Sequence, residues 1–83
     1  MKTIWKFPLR ETAFQDLPVP DGSKILKVGQ DPGGKLCAWV LLDTNNQIGN
    51  HAVTIVGTGH DAPENKNYLG TVNSGQFVWH IFD

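Results

Sequence analysis

One cysteine, Cys37, stands in a chain of 83 residues, so no internal disulfide can staple this small core. The three histidines, His51, His60 and His80, are far apart and have no paired cysteine, which excludes zinc-finger spacing and a helical His-x-x-x-His pair. No metal or cofactor is expected. Nowhere do ~18 apolar residues run together as a membrane-spanning helix requires, and the opening Met1–Phe7 lacks the apolar core of a secretory signal. The chain is therefore expected to stay in the cytosol where it is made, away from any membrane, which agrees with a free thiol. Neither sign of charge dominates: seven Lys and Arg against eight Asp and Glu give a net −1, not the positive balance of a duplex nucleic-acid binder. Solenoid repeats, low-complexity tracts and heptads are missing too.

What is present is strand and turn. Lys35–Asp43 is a short run apolar on both faces and closed by Thr-Asn-Asn, a centrally placed strand. Lys24–Gln30 is its hairpin partner, because Asp31-Pro32-Gly33-Gly34 supplies a turn in which glycine can take positive φ. Pro18-Val19-Pro20-Asp21-Gly22 forms another turn cluster whose prolines cannot donate to a ladder, which keeps Phe14–Leu17 at a sheet edge. His51–Val56 is β-branched and ends at Gly57-Thr58-Gly59-His60. After a polar loop over 61–67, Tyr68–Val72 and Phe77–Phe82 make a second hairpin around Asn73-Ser74-Gly75-Gln76. Trp5, Phe7 and Leu9 follow a period of two, so the chain opens as a strand, and a helix is possible only around Arg10–Gln15. The pattern predicts one all-β domain over 1–83, a small antiparallel sandwich or open barrel of six to seven short strands in a meander-like order.

A chain this short buries only ~60% of its unfolded surface. With disulfides and metals excluded, self-association remains as the extra source of stability, and a homo-oligomer is expected.

The residues that could carry function are few. Gly57-Thr58-Gly59-His60 follows an apolar strand, and such a turn can aim backbone N–H groups at a phosphate, although its two glycines serve equally as a bare turn. The last strand alternates Phe77, Trp79 and Ile81 with Val78, His80 and Phe82, which places His80 on an apolar face, either as a satisfied core histidine or as a pocket wall. Trp5, Trp39 and Trp79 come from three strands; an exposed one could stack on a nucleobase in single-stranded recognition. Lys2, Lys6 and Arg10, spaced by four, would share a strand face and meet phosphates, or else guard an edge against unwanted pairing. Catalytic equipment is not apparent. Cys37 sits in the most apolar strand, Ser23, Ser74 and Thr58 lack a nucleophile elbow, and the carboxylates occupy turns. The expectation is a binder, not an enzyme.

Met1-Lys2-Thr3-Ile4-Trp5-Lys6-Phe7-Pro8-Leu9, Leu36–Asp43, Val56-Gly57-Thr58-Gly59-His60 and the ending Phe77–Phe82 together resemble the widespread small uncharacterised proteins of tailed bacteriophages, over nearly the whole chain. That resemblance implies a counter-defence role in the cytoplasm of the infected bacterial host. One form of it is a sponge that sequesters a cyclic or signalling nucleotide without cleaving it. Its ligand would meet Gly57, Thr58, Gly59 and His60 through phosphate, Trp5, Trp39 or Trp79 by stacking, and Lys6, Arg10 and His80 nearby. The alternatives are an inhibitor that docks on a host defence complex in the manner of an anti-CRISPR, or a small structural phage protein.

Overall fold

The computed structural model describes residues 1–83 and contains seven strands and no helix. They are β1 (Lys2–Pro8), β2 (Phe14–Pro20), β3 (Lys24–Gln30), β4 (Leu36–Asp43), β5 (Ile48–Gly57), β6 (Tyr68–Ser74) and β7 (Phe77–Phe82). All pairings are antiparallel, in a three-stranded sheet of order β1-β4-β3 and a four-stranded sheet of order β2-β5-β7-β6. The expected small all-β sandwich is what forms.

The core follows from alternation, because successive side chains of a strand face opposite sides. On β4, Leu36, Ala38, Val40 and Leu42 turn inward with Leu9, Ile25 and Val28. Leu17, Val19, Val53, Ile55, Val72 and Ile81 meet them from the other sheet. β4 is central in its sheet and β2 sits at an edge, where Pro18 and Pro20 withhold their donors harmlessly.

Both expected hairpins form, β3–β4 across 31–35 and β6–β7 across Gly75-Gln76. Gly75 takes φ +59° at the first central position of its two-residue turn, the position at which a II′ turn calls for glycine.

Two expectations are corrected. The stretch Arg10–Gln15 is not helical: Phe14 and Gln15 already belong to β2. The Gln15 side-chain amide satisfies Arg10 instead, its Oε1 accepting from Arg10 N at 3.0 Å and its Nε2 donating to Arg10 O at 2.7 Å. This substitutes for the backbone partners a helix would supply. Nor is the order a meander, since the chain changes sheet between β1 and β2, β2 and β3, and β4 and β5. Pairing β1 with β4 and β2 with β5 lets each sheet bury one apolar face against the other. No helix exists that is long and apolar enough to cross a membrane.

Candidate functional site

The glycine turn at the end of β5 is a closed β-turn. His60 N donates to Gly57 O at 3.2 Å, and Gly59 takes φ +92° at the third position, as a type II turn requires. One amide of the anticipated phosphate cradle is thus already spent within the turn. Gly57 has a different use: a Cβ there would lie 3.1 Å from His60 Cδ2 and 3.6 Å from Trp79 Cζ3. Glycine lets an imidazole and an indole rest on the same piece of strand.

Trp79, Gly57 and His60 form one wall of an open hollow of about 630 Å³, lined elsewhere by Glu11–Phe14, Thr54–Val56 and Asp61–Pro63. That volume falls in the range of small-molecule sites, ~300–1,000 Å³. Past Phe14, Thr54 and Pro63 the cavity is continued by a hollow of about 260 Å³ that adds Asp16 and Lys66. On its other side, across His60 and Trp79, lies a hollow of about 330 Å³ lined also by Thr58, Gln76 and Phe77. Phe77 stacks on Trp79 at 5.3 Å between ring centroids. The three hollows form one groove, reaching from Phe77 to Lys66. Its formal charges are Glu11 and Asp61 in the middle and Asp16 with Lys66 at one end. Trp79 Nε1 is buried and has no acceptor, an unsatisfied donor inside the protein. Glu11 is held by Ser74, whose Oγ donates to its Oε1 at 2.7 Å.

His80 is half-buried on the outward side of β7. Its Nε2 lies 2.8 Å from Thr58 Oγ1 and its Nδ1 2.9 Å from Thr71 Oγ1, and Thr71 in turn bonds the Tyr68 hydroxyl. The imidazole is spoken for on both nitrogens. A hydroxyl within reach of a histidine has the outline of a nucleophile and base, but no carboxylate orients this ring. No three His, Cys, Asp or Glu side chains converge as metal ligands would.

The remaining residues singled out in the sequence lie elsewhere. Lys6 and Trp39 are directly paired on the outward face of the three-stranded sheet. Trp5 points to the opposite side of β1, 47% exposed and tilted against Phe7. Arg10 lies beyond the end of β1 and does not continue the Lys2–Lys6 face. The structure therefore unites Gly57, His60 and Trp79, with Thr58, Gly59 and His80 adjoining, and separates them from Lys6, Trp39, Trp5 and Arg10. The groove residues that sequence reasoning missed are Glu11, Phe14, Asp61 and Lys66. All four sit in or beside loops, with no periodic signal to mark them.

Around Lys6 the electrostatics are well defined. Its Nζ lies 3.0 Å from Asp31 Oδ2, while Lys35 N donates to Asp31 Oδ1 at 2.9 Å. The backbone donation from Lys35 and then the Lys6 ammonium hold the Asp31 carboxyl down at about 2, and the same aspartate raises Lys6 above its ordinary value. Cys37 Sγ is 3.8 Å from Asp31 Oδ2, and burial first, then that carboxylate, push the thiol upward. It is a protonated, structural thiol.

A family model described as a domain of unknown function, DUF7352, matches residues 1–83. No curated protein and no solved structure matches the chain.

Proposed function

The chain belongs to the DUF7352 family, and for this member we propose a binding role: capture of a cyclic or signalling nucleotide, without cleavage, in the groove between Phe77 and Lys66. The observation that supports this reading is the groove's lining, with aromatic walls, carboxylates in the middle and one lysine, beside Asp16, at one end. A nucleotide has a part for each of these groups. Its base would stack against Trp79 or Phe14 and offer N–H groups to Glu11 and Asp61, and a phosphate would reach Lys66. Phosphate is assigned to Lys66 because the glycine turn carries no cation and has spent one amide on itself.

Self-association fits the same reading. Phe14 stands at the lip of the groove 78% exposed, and a second copy covering it would close the open side. Sequestration inside an infected bacterium, as a counter to its nucleotide-signalled defence, is the biological role that the likeness to tailed-phage proteins suggests.

The test is a thermal-shift panel of cyclic dinucleotides, cyclic trinucleotides and ADP-ribose derivatives, followed by chromatography of the recovered ligand. A true ligand raises the unfolding temperature with concentration by mass action. It is recovered intact. Absence of any shift across the panel overturns the reading, and turnover of the ligand overturns its non-catalytic part.

A further inference from the structure

The outward face of the three-stranded sheet carries a concentration of charge that the chain's net −1 conceals. Lys2 and Lys6 project from it on β1, Lys24 and Lys27 on β3, and Lys35 enters β4 at the same end as Asp31; all five are exposed. The carboxylates beside them are Asp31, paired with Lys6, and Asp43, paired with the Met1 amino group. Lys2, Lys24, Lys27 and Lys35 make no ion pair. Elsewhere, Arg10 and Lys66 face six carboxylates, so this face is formally +3 and the rest of the molecule −4.

The register assembles this face. Lys6 and Lys27 flank Trp39 from either side, and Lys24 stands opposite Leu41. Residues 24 and 27 differ by an odd number and would point to opposite faces of a regular strand. A register shift between Ile25 and Lys27 inserts Leu26 and returns Lys27 to the outward face. Trp39 lies beside Gly29, where a Cβ would stand in ordinary contact 3.8 Å from Trp39 Cζ3, and the Lys27 ammonium sits 5.5 Å from its ring centroid. Strand geometry spaces Lys2 from Lys6 by ~13 Å and β1 from β3 by ~10 Å.

We infer that this face binds single-stranded nucleic acid, with Trp39 stacking on a base and Lys2, Lys6, Lys24 and Lys27 meeting the phosphates around it. A sheet face with a half-buried central aromatic and flanking cations has the parts of a stacking platform, and its area suits the small end of such sites, ~4 nucleotides. The cations are all lysine. Protein interfaces favour arginine and are depleted in lysine, whereas phosphates accept a compact point charge, so an acidic protein is the weaker match. Both flanking strands are sheet edges, and lysines there also discourage strand pairing. That role alone would not place an indole between them. The face lies on the other sheet from the groove and stands whether or not the groove takes a nucleotide.

The experiment is fluorescence anisotropy of a labelled oligothymidylate about 15 nucleotides long, titrated with the full chain at low salt. Binding is expected, with log K falling against log salt at a slope of about −2 to −3 for three to four phosphates neutralised. The double substitution Lys24→Glu with Lys27→Glu weakens it at least tenfold, and Trp39→Leu weakens it about tenfold without altering the salt slope. Circular dichroism and unfolding temperature verify that each variant is folded, and the surface lysine pair keeps the test valid if Trp39→Leu is not. No binding at about 20 mM salt overturns the inference. So does binding that the double reversal leaves unchanged. Tighter binding of duplex than of single strand removes the stacking, and poly-glutamate bound as tightly as the oligonucleotide points to an acidic protein instead.

Discussion

The outward face of the three-stranded sheet and the groove beside the four-stranded sheet are made in different ways. The first is strand surface: its residues are fixed by hydrogen-bonded register, and its lysines outnumber its carboxylates five to two. The second is assembled where 11–14 and 60–66 come together over the end of β5, so its residues come from loops and carry both signs. A surface set by register can be flat and repetitive, which suits a polymer. Loops that converge make a concave site with few polar groups, which suits a small molecule.

The largest effect should come from the core that both regions share. Ile81 is fully buried, and Ile81→Ala should cost about 2–5 kcal/mol. Urea unfolding followed by far-ultraviolet dichroism and by tryptophan fluorescence should still give one coincident transition at a lowered midpoint. Two separated transitions would break the picture of two faces on one cooperative body.

Next is a close approach between the two sheets at Gly70 and Val28. A Cβ at Gly70 would come 2.9 Å from Val28 Cγ2, so Gly70→Ala should overpack the interface by about 1–3 kcal/mol. Adding Val28→Ala should recover part of that loss relative to Val28→Ala alone, read as a coupling energy in a double-mutant cycle. Strict additivity would mean that the sheets slide apart freely at this point.

A smaller effect separates the two faces functionally. Lys66→Ala should reduce the affinity of a groove ligand about tenfold, seen as a smaller thermal shift, and leave oligothymidylate binding unchanged. The lysine reversal on β3 should do the opposite. If either substitution affected both ligands, the two surfaces would be one site.

Smallest is the acid response at Asp31. Its folded carboxyl is held down at about 2, below the ordinary 3.8, so its stabilising contribution is present above pH ~4 and lost as pH falls toward 2. The urea midpoint of Asp31→Asn should therefore vary less between those pH values than that of the native chain. Equal pH dependence would assign the acid sensitivity to other carboxylates, with Asp43, also lowered, as the first to examine.

Both hairpins were legible in the sequence because their signals are local: Asp31-Pro32-Gly33-Gly34 and Asn73-Ser74-Gly75-Gln76 each lie between the two strands they join. The central place of β4 was legible from its two apolar faces. The partners of β1 and β2 were not, since pairing across some thirty residues leaves no mark on either strand alone. The start of β5 at Ile48 was hidden by Gly49 and Asn50, poor strand formers, and there Gly49 makes room for the Asp21 carboxylate. Linear spacing grouped Lys2, Lys6 and Arg10. Strand pairing and one bulge grouped Lys2 and Lys6 with Lys24 and Lys27 instead. Sequence reasoning named Gly57, His60 and Trp79 as candidates, and the structure brings these three together. It could not see that the turn spends an amide on itself, or that loop carboxylates rather than amides would line the cavity.

The threefold exchange of strands between sheets also sets the order of events on the ribosome. β1 has no hydrogen-bonding neighbour until β4 is complete at Asp43, and β2 has none until β5 reaches Gly57, so the first two strands emerge as orphans. The β3–β4 hairpin is the earliest unit able to form from adjacent residues, and it then serves as the template onto which β1 closes. Pairings of such long sequence separation place the domain among folders that take milliseconds to seconds. During that interval the apolar side of β1, with Trp5 and Phe7, and Leu9 just after it, is exposed to whatever lies near the nascent chain.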